Sequence, residues 1–112
     1  MATSEKRIGA NSHIALLLLS LIAEEPMYGY RIIKELEARS KEYFQMKEGS
    51  LYPVLHQLEK DGLVTTAWKS QRGKPNRKYY SITKKGRGAL VEAKSAFDEH
   101  VEAMRLVMEL SG

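Results

Sequence analysis

The chain has no cysteine, which excludes disulfides, thiolate metal sites and cysteine nucleophiles, and nothing points to an oxidising compartment. Its three histidines, His13, His56 and His100, stand too far apart in sequence to suggest a metal site, so no metal or other cofactor is expected. Long apolar runs are also missing. The one candidate, Ile14 to Ala23, is ten residues long, whereas a membrane-spanning helix needs roughly 20. Lys6 and Arg7 precede it in the manner of an export signal, but Glu24, Glu25 and Pro26 follow where a small-residue cleavage site would be needed. The run reads as a buried helix of a cytoplasmic protein with no membrane partner. There is no GxxxxGK, GxSxG or HExxH, and the two aspartates fall at a helix end (Asp61) and on a long helix (Asp98). No catalytic residue is nominated, and an enzyme is not expected.

Acid is missing from one stretch in particular. Between Lys69 and Arg87 lie eight basic residues (Lys69, Arg72, Lys74, Arg77, Lys78, Lys84, Lys85, Arg87) and no carboxylate. The whole chain carries a net charge of +4, so the remaining 93 of its 112 residues sum to 4 − 8 = −4. A chain acidic elsewhere that gathers its positive charge in one place favours a polyanionic partner over a merely solvated loop. The rest of the composition, 43% hydrophobic and 29% charged, is that of a folded protein, and the length suits one domain.

Read along the chain, the first helix is expected from about Ser12 to Glu24, with Asn11 or Ser12 as N-cap and Pro26 just beyond its end. A second should begin near Met27 or Tyr28 and run to about Arg39, its stripe formed by Tyr28, Ile32, Ile33 and Leu36. A third is expected from Glu48 or Gly49 to Lys60, with Leu51, Val54, Leu55 and Leu58 inward and Pro53 within or close to the first turn. It stops at Asp61-Gly62. Leu63–Trp68 and Lys78–Ile82 then read as strands of a β-hairpin around a basic tip at residues 70–76. The last helix starts after Thr83 and continues to about Leu110. The expected fold is mainly α with a small β-hairpin: a winged helix-turn-helix at residues 8–83 and a long C-terminal dimerisation helix at 84–112.

In such a fold the third helix enters the DNA major groove. With Leu51 at the centre of the buried face, Gly49, Pro53, His56 and Lys60 point outward, flanked by Ser50, Tyr52 and Gln57, and Lys47 immediately precedes the helix. Gly49 and Ser50 permit close approach at a helix N-terminus that favours phosphate. Gln57 has the geometry to read adenine or is simply solvent-exposed; His56 can donate to a base edge or phosphate; Tyr52 either contacts phosphate or is partly buried with its hydroxyl in water. Arg72, Lys74, Arg77 and Lys78 at the hairpin tip supply a second, salt-sensitive grip. Trp68, Tyr79 and Tyr80 have the faces to stack on single-stranded bases, but Trp68 and Tyr80 are expected to pack on the helices instead.

These segments resemble, in order and spacing, the PadR family of bacterial transcriptional regulators. The likeness is carried by Tyr28-Gly29-Tyr30 through Leu36, Glu48-Gly49-Ser50-Leu51-Tyr52-Pro53-Val54-Leu55, Leu58-Glu59, Gly62-Leu63, Trp68 and Arg77 through Thr83, over roughly Ile14 to Gly86. The resemblance implies a dimeric repressor, usually released by a small molecule. It also implies that Ser50, Leu51 and Tyr52 begin the recognition helix and that Lys74, Arg77 and Lys78 belong to the wing. The chain stops soon after one C-terminal helix, which suggests the family's short class.

From Thr83 to Leu110 the last helix would extend about 42 Å, longer than so small a domain can cover. Leu90, Ala93, Phe97, Val101, Met104 and Met108 recur at spacings of three or four and form a seam for a twofold mate. The expected partners are therefore a second copy and an inverted-repeat operator of double-stranded DNA. Phe97 and Met104 are also candidates to line a site for a small apolar or aromatic effector, although filling the interface is the simpler role. The alternative function is a winged-helix module for protein contacts, which would not require an acid-free basic hairpin.

Overall fold

The computed structural model describes residues 12–70 and 72–111. Asn11, residues 8–11 of the expected DNA-binding region, Gln71 of the hairpin tip and Gly112 lie outside the described residues. The elements run α1 (Ser12–Glu24), β1 (Met27–Tyr28), α2 (Gly29–Arg39), α3 (Glu48–Lys60), β2 (Val64–Lys69), β3 (Arg77–Ile82) and α4 (Lys84–Ser111).

Helix α1 is apolar on most sides and takes the centre of the fold. Ala15, Leu18, Leu19, Leu21 and Ile22 are all buried. Helix α2 lays Ile32 and Leu36 against it, and α3 adds Leu51, Leu55 and Leu58, each at most 5% exposed. Those inward spacings of three and four are what place one stripe per helix in a shared core. Between α2 and α3 the chain turns through Lys41 (φ 53°) and Glu42 (φ 68°), two side-chain-bearing residues in the left-handed region. Ser40 anchors this turn: its Oγ donates to the Leu36 carbonyl (2.8 Å) and accepts from the Phe44 amide (2.9 Å).

Two expectations are corrected here. Met27 and Tyr28 do not open the second helix but form a short strand, pairing antiparallel with Tyr80 and Tyr79. The sheet therefore has three strands among the described residues, in the order β1-β3-β2, rather than being a bare hairpin. Pro26 precedes the pair, and Met27 reaches full burial as part of the sheet, satisfying apolar and backbone demands together. Pro53 stands sixth in α3, just past its first turn as expected. Its missing N–H leaves the Gly49 carbonyl without a helical donor, but both residues are exposed and water can substitute.

Helix α3 stops at Gly62, which takes φ +77°. There the Leu63 amide donates to Leu58 O (2.9 Å) and the Gly62 amide to Glu59 O (3.0 Å), satisfying carbonyls of the last turn. Strand β2 runs back along β3 in the register Val64↔Ile82 to Lys69↔Arg77. Thr83 then caps α4: its Oγ1 accepts from the Gly86 amide (2.9 Å) and donates to the Gly62 carbonyl (2.7 Å). Its own amide donates to Leu63 O (3.0 Å). The end of α3, the base of the wing and the start of α4 are thus locked at one point. Gly86 is required there, since a Cβ would overlap the Leu63 carbonyl oxygen and come within 2.8 Å of Ile82 Cγ1.

Candidate nucleic-acid interface

Once Leu51, Leu55 and Leu58 are inward, the opposite side of α3 must face solvent. Gly49, Ser50, Tyr52, Pro53, His56, Gln57 and Lys60 are all exposed, as is Lys47 ahead of the helix. Gln57 is not idle: its Nε2 donates to Asp61 Oδ1 at 3.0 Å. Tyr52 is half-exposed, and the hydroxyl end of its ring lies where a Cβ on Gly29 would be. The glycine at the start of α2 is therefore the recess that receives the end of the Tyr52 side chain.

The wing is tied to α3 by Glu59. Thr66 Oγ1 donates to Glu59 Oε2 (3.1 Å), and Lys78 Nζ lies 4.0 Å from Glu59 Oε1. Arg72 and Lys74 stand exposed at the tip, whereas Arg77 and Lys78 are half-buried lower on the strand. The guanidinium of Arg77 stacks over the Tyr28 ring at 4.3 Å, and Lys69 and Lys78 lie 5.2 and 5.7 Å from the rings of Tyr79 and Tyr80. The cations nearest the domain are thus held against aromatic faces, and those at the tip project into water.

Between the wing on one side and β1, the start of α2 and Tyr52 of α3 on the other lies an open groove of about 540 Å³, walled by Tyr28, Tyr52, Trp68, Tyr80, Arg77 and Lys78, with Gly29, Tyr30 and Asn76 completing its lining. No carboxylate is among these residues. Burial pushes the Tyr52 hydroxyl pKa up, with help from the Glu48 carboxylate. Burial does the same for Tyr80, helped by Tyr52 and Glu59. Both stay neutral O–H groups at physiological pH and add no charge that would repel an anion.

Trp68 corrects a further expectation. Tyr80 packs in the core, 4% exposed, but Trp68 is 67% exposed. It lies on the same face of β2 as buried Val64, yet by position 68 the strand has run out past the helices. The indole is left on the groove wall.

In the seam proposed for pairing, Leu90 and Ala93 are half-buried against the domain's own core, and Val101 is half-buried. Phe97 meets His13 of α1 edge-on at 6.1 Å and remains 41% exposed; Met104 and Met108 are 49% and 64% exposed. Leu106 and Val107, which the three-and-four spacing passes over, are 50% and 66% exposed. The density of apolar residues from Met104 to Met108 was the available signal for them.

Helices α2 and α3 joined by a turn, followed by a basic β-hairpin and completed by α1, define a winged helix-turn-helix. The model of the PadR-like family of transcriptional regulators matches residues 18–92, more than half of the chain, and the protein belongs to that family. It is 34% identical over 86 residues to the transcriptional regulator Rv3488 of Mycobacterium tuberculosis, covering 77% of each chain. Its structure is similar to that of the PadR-like transcriptional regulator BC4206 of Bacillus cereus, with TM-score 0.73, 27% identity, and 96% and 95% of the two chains covered. It is also similar to Bacillus subtilis PadR solved in complex with operator DNA, with TM-score 0.62 and 25% identity over 69% of this chain and 44% of that one. Among the described residues no helix is long and apolar enough to cross a membrane.

Proposed function

We propose that this regulator binds duplex DNA sequence-specifically as a twofold homodimer and represses transcription in the cytoplasm. Residues 8–83 carry the DNA-binding unit and 84–112 the pairing helix, whose first turns also complete the core. The observation that carries this reading is the exposed, polar, small-residue face of α3 beside an acid-free cationic wing. The similarity to a PadR seen on operator DNA supports it. On this reading Lys47, Gly49, Ser50, Tyr52, His56, Gln57 and Lys60 meet the major groove and its phosphates, while Arg72, Lys74, Arg77 and Lys78 grip the backbone beside it. Leu90, Ala93, Phe97, Val101, Met104 and Met108 meet the second copy, and Phe97 with Met104 offers a place for a small apolar or aromatic effector that releases DNA.

The test is a binding assay with duplex from the protein's own upstream region at two salt concentrations. Specific binding that weakens steeply with salt is expected, and replacing Arg72, Lys74 and Arg77 by Ala should weaken specific and random duplex alike and flatten the salt slope. Weak, salt-insensitive retardation would instead favour a module for protein contacts.

A further inference from the structure

We infer that the groove between the wing and the start of α2, where Tyr52 of α3 also lies, seats the sugar–phosphate backbone of one DNA strand, with Trp68 packed on deoxyribose and Arg77 and Lys78 on the adjoining phosphate. This rests on the DNA reading above and deepens it by naming what the groove receives. With α3 docked in the major groove, the preceding helix crosses the DNA backbone, and this groove, lined by the start of α2, Tyr52 of α3 and the wing, lies where that backbone strand would pass.

The lining suits this occupant. Trp68 places a large apolar ring, 67% exposed, on the wall of a groove that also holds two cations. Its flat face complements the C–H surface of a sugar, and its indole N–H, a donor only, complements a phosphate oxygen. The cations are already held in place, Arg77 on the Tyr28 ring at 4.3 Å and Lys78 4.0 Å from Glu59, so little side-chain freedom is lost on binding. No carboxylate in the lining opposes the phosphate. A base is a poorer occupant, because taking one out of an intact duplex costs stacking and pairing that a backbone strand does not forfeit.

Trp68 is the only tryptophan in the chain, so its emission reports on this groove alone. The full-length protein is titrated with labelled duplex from its own upstream region; label anisotropy reads binding, and acrylamide quenching of Trp68 reads groove access. At saturation the quenching constant is expected to fall at least about twofold. Saturated duplex with unchanged quenching overturns this inference alone, while flat anisotropy at low salt overturns the DNA reading and this inference with it. If a planar aromatic anion such as a naphthalene sulfonate protects Trp68 and duplex does not, the groove belongs to a small molecule and the inference fails. Trp68→Ala, at an exposed position, is expected to weaken specific and random duplex alike by about tenfold, the scale of one lost aromatic contact. Its salt slope should stay unchanged, whereas Arg77→Ala flattens it. Trp68→Phe should recover part of the affinity, and a Trp68→Ala protein that binds as wild type overturns the assignment.

Discussion

Helix α3 and the far half of α4 both turn a face to water, but the two faces differ in kind. The outward side of α3 carries Gly49, Ser50, Pro53, His56, Gln57 and Lys60, groups that rest in water without penalty. The far half of α4 holds Phe97, Met104, Leu106, Val107 and Met108 between 41% and 66% exposed, where each Å² of apolar surface forgoes roughly 25 cal/mol of burial. The first face suits the hydrated polyanion proposed for it, and the second suits the proposed pairing with more apolar surface. If reading and pairing are divided between these helices as proposed, substitutions on each should fail differently.

The largest effect is expected where α3 joins the core. Leu55→Ala removes a fully buried side chain and should cost about 2–5 kcal/mol in denaturant unfolding, at any protein concentration. Val107→Glu, at a 66% exposed position, should leave the α1–α3 core folded but weaken self-association by at least about tenfold in sedimentation. An unchanged dimer would move the pairing surface away from the far half of α4.

A smaller contrast lies within the first turns of α4. Gly86→Ala drives a methyl group into the Leu63 carbonyl and should lower stability by about 1–3 kcal/mol. Gly88→Ala, two residues on, meets nothing within 4 Å and should raise it by up to about 1 kcal/mol through helix propensity. Equal melting temperatures for the two variants would mean that the clasp at Thr83 has slack.

Gly29→Ala should separate reading from folding. The new methyl group displaces the Tyr52 hydroxyl, the end of a flexible side chain, and gains helix propensity in return, so stability should change by less than about 1 kcal/mol. Duplex affinity should nonetheless fall severalfold, because Tyr52 is pushed toward the DNA-facing side. Adding Tyr52→Phe, which deletes the colliding oxygen, should restore part of that loss, and a double-mutant cycle with no coupling would remove Tyr52 from the interface.

Much of this was legible in sequence because period and punctuation agree. The leucines of α3 with Gly62, the mostly apolar α1 stopped before Pro26, and the Thr83 cap of α4 each join a packing pattern to an end signal. β1 escaped notice because two residues show no period and Tyr28 also fits a helical stripe. The exposure of Trp68 is hidden from sequence for a related reason: alternation tells which side of a strand a residue takes but not where the helices beneath it end. The recess for Tyr52 at Gly29 and the bridging role of Glu59 depend on elements brought together only by folding.

The smallest expected effect concerns the surface between α1 and α2, away from both contrasted faces. Arg39 donates from Nη1 and Nη2 to both oxygens of Glu24 (2.6 and 2.8 Å) and from Nε to Glu35 (2.9 Å). The hydrogen bond from Arg39 holds the Glu24 carboxyl below its ordinary value of 4.5, against desolvation in the opposite sense and with help from the nearby Arg39 and Arg31 charges. A carboxylate whose pKa is lowered by folding contributes stability that is fully present above its unfolded value and is lost as the pH falls through the folded one. The pair therefore holds at neutral pH and fades below about pH 4.5. Both partners are solvent-exposed, so the contribution is small and screened by salt. Arg39→Ala should slightly flatten the acid limb of the thermal stability profile in low salt and leave it unchanged in high salt. It should leave duplex affinity at neutral pH untouched, since neither α3 nor the wing contacts this pair; a loss of binding would show that the α1–α2 packing reaches the reading face.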